Sequence, residues 1–187
     1  MSYSPKDLIF DKEGRDKLKK GINAITDAVK STLGPLGKTV LIESPEHTHG
    51  ITITKDGVTV AKSIFLEDAV ENLAVRMVKE AADRTAISAG DGTTTAIVLT
   101  EAIVRNGMNA IEQNENINTT ELIKELNDTV KQIVKNLSKS SKKVSEKTLK
   151  DVATVSANNS IELGKLISEA YKELGKDGIL TVENSQT

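Results

Sequence analysis

Cysteine is absent from this 187-residue sequence, which excludes disulfides and thiolate metal sites and fits a reducing compartment. Tryptophan is also absent and aromatic residues make up only 2%. A core therefore has to come from Leu, Ile, Val, Ala and Met, which favours tightly packed helices with small residues between them. No stretch approaches the ~18 consecutive apolar residues that a membrane-crossing helix requires. The start, Met1-Ser2-Tyr3-Ser4-Pro5-Lys6, has no apolar run behind a basic segment and so reads without a signal peptide. The expectation is a cytoplasmic protein with no membrane partner. A net charge of −2 supplies no basic face, so no nucleic-acid partner is expected either. With only two His residues, both on one loop, no Ser/His/Asp nucleophile arrangement can be assembled.

What is present fits a soluble globular chain: 37% apolar and 28% charged residues, enough for one good-sized domain or one domain and part of a second. Leu18, Ile22, Ile25, Val29 and Leu33 recur at helical steps and predict a helix over 12–33, ended by Gly34-Pro35. Two short β-type runs, 39–42 and 51–54, flank a polar loop. A second helix is expected over 67–88 with Val70, Leu73, Met77, Val78, Ala81 and Ala82 inward, and a third over 92–111 that is apolar on nearly every side. Further helices are expected over 119–137, 146–157 and 161–174, and a strand over 179–183. Between them, Ser138-Lys139-Ser140-Ser141-Lys142-Lys143 carries no apolar residue and reads as a linker or domain boundary.

The foremost chemical candidate is Ala89-Gly90-Asp91-Gly92-Thr93-Thr94-Thr95. Two glycines allow a sharp turn and a close backbone approach. The N–H groups and dipole at the start of the third helix favour an anion such as a phosphate. The three hydroxyls can donate to phosphate oxygens, and Asp91 offers a hard oxygen ligand for Mg²⁺. The plain alternative is that Asp91 and the threonines cap a helix, but one cap needs only one hydroxyl.

Gly37-Lys38-Thr39 ends like a Walker A loop, yet Thr32 stands where that loop needs glycine, and the segment runs from helix to strand instead of strand to helix. What remains is a helix C-terminus whose exposed carbonyls and Thr32 hydroxyl could face a cation or phosphate, although taken alone the segment reads first as an ordinary helix stop. Lys55-Asp56-Gly57 reads first as a hairpin turn. Placed beside the threonine loop, Asp56 could orient a water for attack on a terminal phosphate. His47 and His49 read as a solvent-exposed pair, and the lysines at 135, 139, 142, 143, 147 and 150 as a solvated hinge.

Taken in order, Thr32-Leu33-Gly34-Pro35, Thr52-Ile53-Thr54-Lys55-Asp56-Gly57-Val58, Ala89 to Thr95, Ser156-Ala157-Asn158 and Gly164-Lys165-Leu166-Ile167 resemble group I chaperonin subunits of the GroEL type. The resemblance spans essentially the whole chain. It implies a mainly α fold: a helical bundle of the chaperonin equatorial-domain type with a small β-hairpin over 1–138, followed by part of an α+β intermediate domain over 139–187. It implies ATP, Mg²⁺ and K⁺ as cofactors. Thr32, Leu33, Gly34 and Pro35 would contact ATP or K⁺, Lys55 the same end of the site, Asp91 the Mg²⁺, and Gly92, Thr93, Thr94 and Thr95 the phosphates. Asp56 matches the acidic residue of hydrolysis, and the hairpin around Pro45 and His49 matches a stem-loop that touches a neighbouring subunit.

The implied partners are further subunits of a homo-oligomeric ring. Unfolded proteins and a co-chaperonin would be reached through an apical domain, which is not among these residues. Neither are the C-terminal equatorial part and its second catalytic carboxylate. The chain is expected to be either a fragment or a truncated subunit, lacking full ATPase activity alone and exposing an apolar patch around its third helix. The rival reading is a non-catalytic subunit that binds or caps rings.

Overall fold

The computed structural model describes residues 7–34, 36–43, 50–114, 116–175 and 179–181. The order of elements is α1 (Asp11–Lys30), β1 (Val40–Glu43), β2 (Ile51–Thr54), α2 (Gly57–Ser63), α3 (Ala69–Ala89), α4 (Thr93–Gln113), α5 (Thr119–Ser140), α6 (Glu146–Ser156) and α7 (Ile161–Leu174). Among the described residues the fold is mainly helical with one two-stranded antiparallel sheet, as expected. The chain divides into two compact units, Met1–Thr119 and Thr120–Thr187.

In the first unit α1 packs on both α3 and α4, with the short α2 set against the same group. Ile25, Val29, Val60, Ala61, Val75, Val78, Ala82 and Ile97 form one buried cluster, drawn from all four helices. Apolar and small side chains at helical spacing bring these faces together, because burying them removes their surface from water. Asp68 caps α3 by accepting from the Val70 and Glu71 N–H groups, and it also takes a 2.7 Å hydrogen bond from Lys17 on α1. That bond is the main reason its carboxyl is held down at about 2. The hairpin pairs Val40 with Thr54 and Leu41 with Ile53. It leaves Leu41, Ile51 and Ile53 exposed.

Three sequence expectations need correction. The segment after Asp56 does not continue as a β-hairpin: Gly57 opens α2, because the Asp56 carboxylate accepts from the Val58 and Thr59 N–H groups as a helix cap. The inward face of α3 is Ala74, Val75, Val78 and Ala82, while Leu73 and Met77 are exposed. Helix α1 approaches too closely at Gly21 for the larger side chains to lie between them, so the smaller residues line the crossing. Residues 179–181 form no strand, and Ile179 is exposed. The rest of that expected strand lies outside the described residues, as do Pro35, Pro45, His47 and His49.

In the second unit α6 and α7 pack against each other, with Ala153 and Ser168 buried. A capping box of Ser145 and Thr148 starts α6, and Ser160 caps α7. The turn between them places Asn158 and Asn159 at φ 53° and 65°, the left-handed region that asparagine tolerates best after glycine. Helix α5 has no buried residue.

Candidate functional site

Three segments of the first unit converge at the start of α4. Gly90 ends α3 at φ 72° and Gly92 precedes α4 at φ 84°. Both are left-handed conformations for which glycine carries no steric penalty. The chain thus reverses within two residues and sends Thr93, Thr94 and Thr95 into the first turn of α4. No side chain at its N-cap position caps this helix, which is also true of α1, whereas Asp56, Asp68 and Ser160 cap α2, α3 and α7. The threonines make no capping bond, and apart from the Gly92 N–H, which Asp91 accepts, the first-turn N–H groups of α4 have no side-chain acceptor among the described residues.

Asp91 is exposed, and its Oδ1 accepts the Gly92 N–H at 2.6 Å, which orients the carboxylate beside the helix start. After α1 the chain makes a turn, where Thr32 donates from its hydroxyl to the Val29 carbonyl at 2.8 Å. Leu33 and Gly34 follow, exposed, with Gly34 at φ 80°. Gly57, the first residue of α2, lies between these two segments. A Cβ at that position would collide with Thr94 Oγ1 and stand 3.2 Å from both Thr32 Oγ1 and Val29 Cγ1. The structure therefore gathers Thr32, Gly57 and Thr94, which are far apart in sequence. Lys55 is exposed on the segment leading into α2.

Asp56 is bound on both oxygens. Its Oδ1 accepts the Val58 N–H at 3.2 Å, and its Oδ2 accepts the Thr59 N–H at 3.0 Å and the Thr59 hydroxyl at 2.6 Å. Partial burial pushes its carboxyl up, but the Thr59 and Val58 hydrogen bonds, with the Lys62 charge, outweigh that and hold it below the usual carboxylate value. Sequence reasoning singled out Asp56 but missed Thr59, whose hydroxyl sets the carboxylate's orientation. It also missed that Gly57 is a point of close approach. The spacing Asp56 to Thr59, a cap residue and a hydroxyl one turn on, was the available signal for the first. The second depends on tertiary packing.

Among the described residues no three His, Cys, Asp or Glu side chains gather as a metal centre. A divalent cation held by Asp91 would need oxygens from a ligand and from water. That is the usual manner of Mg²⁺, which commonly takes one or two carboxylates together with phosphates. The single exposed carboxylate fits such a cation, and the N–H groups and hydroxyls beside it fit the phosphates that would share it.

The chain matches the model of the TCP-1/cpn60 chaperonin family over residues 25–186. It is similar in structure to the chaperonin gp146 from bacteriophage EL 2 (Pseudomonas aeruginosa), solved in the presence of ATP-BeFx. In one crystal form of that protein the identity is 32%, the TM-score 0.74, and the match covers 87% of this chain and 28% of that one. In the other form the values are 31%, 0.75, 88% and 29%. A group III chaperonin in the open state shares the fold, with 23% identity and a TM-score of 0.71 over 89% of this chain and 34% of that one. The chain thus spans roughly three tenths of the length of these solved chaperonins. No helix among the described residues is long and apolar enough to cross a membrane.

Proposed function

The chain belongs to the TCP-1/cpn60 chaperonin family, and from that premise we propose that it is the nucleotide-binding part of a chaperonin subunit, taking Mg²⁺-ATP at the start of α4. The observation that carries this reading is the convergence of Thr32, Gly57 and Thr94 beside an uncapped, glycine-flanked helix N-terminus. The ATP-BeFx in the crystals of the phage chaperonin supports a nucleotide as the ligand.

In this reading the N–H groups and hydroxyls of Gly92, Thr93, Thr94 and Thr95 hold phosphate oxygens, and Asp91 holds Mg²⁺. The cation supplies neutralisation of phosphate charge. Thr32, Leu33 and Gly34 contact the nucleotide or its K⁺ from the end of α1, with Lys55 at the same end; Pro35, assigned to the same contact by the resemblance, lies outside the described residues. Asp56 is the hydrolytic carboxylate. With Oδ2 taken by the Thr59 N–H and hydroxyl and Oδ1 by the Val58 N–H alone, it would orient water through the remaining acceptor position of Oδ1. The division into an equatorial part over 1–138 and an intermediate part over 139–187, the ring of identical subunits, and ATP-driven assistance of folding belong to the same proposal for the whole protein.

The test is Mg²⁺-dependent binding of radiolabelled ATP to the purified chain and to its Asp91→Ala variant. The expected result is binding by the parent that is weakened about tenfold or more in the variant, as for loss of a metal ligand or its support. Equal affinity in both would remove Asp91 from the site.

A further inference from the structure

Among the described residues Glu101, on α4, is the only charged side chain that is buried, at 3% exposure. Taking a carboxylate out of water is unfavourable unless partners compensate it. Here they do: Lys30 donates to Oε2 at 3.1 Å, and Arg105 lies 3.2 Å from Oε1. Arg105 is one turn further along α4 and is a local companion. Lys30 is the last residue of α1, so its bond to Glu101 joins two helices.

The position of that bond matters. Glu101 follows Thr94 by two helical turns, so the two project from the same side of α4, with the fully buried Ile97 between them. On α1, Lys30 directly precedes the turn that carries Thr32, and its carbonyl accepts the Leu33 N–H at 3.1 Å. Holding Lys30 therefore holds the turn. Only Glu101 is buried, the Lys30 and Arg105 side chains being 38% and 53% exposed; replacing a buried charge and its partner together by apolar side chains is often neutral or stabilising, so stability of the fold alone gives no reason for a glutamate here. What charge and geometry supply together is one defined arrangement of the two helices.

We infer that Glu101 is a positioning residue. Through Lys30 it fixes the C-terminal turn of α1 against α4 and so sets the separation of Thr32 from Thr94. This inference rests on the reading of the site as a Mg²⁺-ATP site.

The experiment uses the 187-residue chain and measures Mg²⁺-ATP affinity and Tm for the parent, Glu101→Gln, Glu101→Asp, the double variant Glu101→Met/Lys30→Met, and Asp91→Ala. The double variant is expected to melt at or above the parent yet to bind Mg²⁺-ATP about tenfold more weakly, as loss of an outer supporting group commonly does. Glu101→Gln should be weakened similarly, and Glu101→Asp should recover part of the loss. Parent-like affinity in the double variant overturns the inference. So does a lowered Tm with binding lost only in proportion to the unfolded fraction, since Glu101 would then merely hold the fold. Should Glu101→Gln fail to fold, the double variant still decides. If Asp91→Ala binds like the parent, the site reading itself has failed, and the Glu101 inference falls with it.

Discussion

Gly57 is the residue on which the geometry of the candidate site turns. It begins α2 in a conformation open to any residue, since its φ is not among the positive ones. Alanine would meet no backbone strain there, and its only obstacle is space: the added methyl would run into Thr94 Oγ1 and press on Thr32 Oγ1 and Val29 Cγ1. Overpacking of this kind typically costs about 1–3 kcal/mol of folding stability, relieved here by moving the Thr94 hydroxyl out of its place in the site; loss of that contact, at about 1.4 kcal/mol, is roughly tenfold in affinity. Gly57→Ala is therefore expected to leave the far-UV circular dichroism unchanged while weakening Mg²⁺-ATP binding about tenfold, read by equilibrium dialysis. Undiminished affinity would mean that the contact between α2 and Thr94 does not shape the site. Residue by residue, the candidacy of Asp91 and the threonines was legible in the sequence, because glycine, carboxylate and hydroxyl in succession suit a phosphate and its metal. The importance of Gly57 was not, because its neighbours come from α1 and α4.

At the scale of elements, the spans of α1 and α3 to α7 could be read from apolar periodicity to within a few residues. Helix α2 could not. Val58, Thr59 and Val60 are β-branched and alternate like a strand, and the Asp56 cap together with the burial of Val60 and Ala61 holds the segment as a helix. The rotation of α3 was hidden for a related reason: Leu73 and Met77 are more apolar than Ala74, but Gly21 on α1 admits only the smaller side. That crossing gives a prediction whose sign is diagnostic. In an isolated helix, Gly→Ala stabilises by about 1 kcal/mol. At Gly21 the new Cβ would collide with the Glu71 carbonyl and lie 3.0 Å from Ala74 Cβ, and backbone cannot give way cheaply. Gly21→Ala is expected to destabilise by about 1–3 kcal/mol in urea denaturation. A more stable variant would show that α1 and α3 do not cross so closely. Gly164 is placed in the same way against Thr154 of α6.

Across the whole molecule, burial is uneven. All residues of the main hydrophobic cluster lie in the first unit. Even there the expected apolar surface around α4 remains in part, with Leu99 and Ile103 exposed at 54% and 43%. Helix α5 is the larger case: Ile123, Leu126, Val130, Ile133, Val134 and Leu137 are all exposed, although they share one side of the helix. A contiguous apolar stripe of that kind promotes association, while contributing little to the stability of the unit that carries it. Replacing Ile123, Ile133 and Leu137 together by Gln, a good helix former, separates the two effects. Each exposed site should change unfolding free energy by no more than about 0.5 kcal/mol. Sedimentation of the parent should depend on concentration, and that dependence should weaken in the triple variant, with less binding of a hydrophobic dye. If the variant instead melts well below the parent, the stripe is buried within the folded chain. The exposure of α5 would then be wrong, and the association would have to come from α4 or the hairpin.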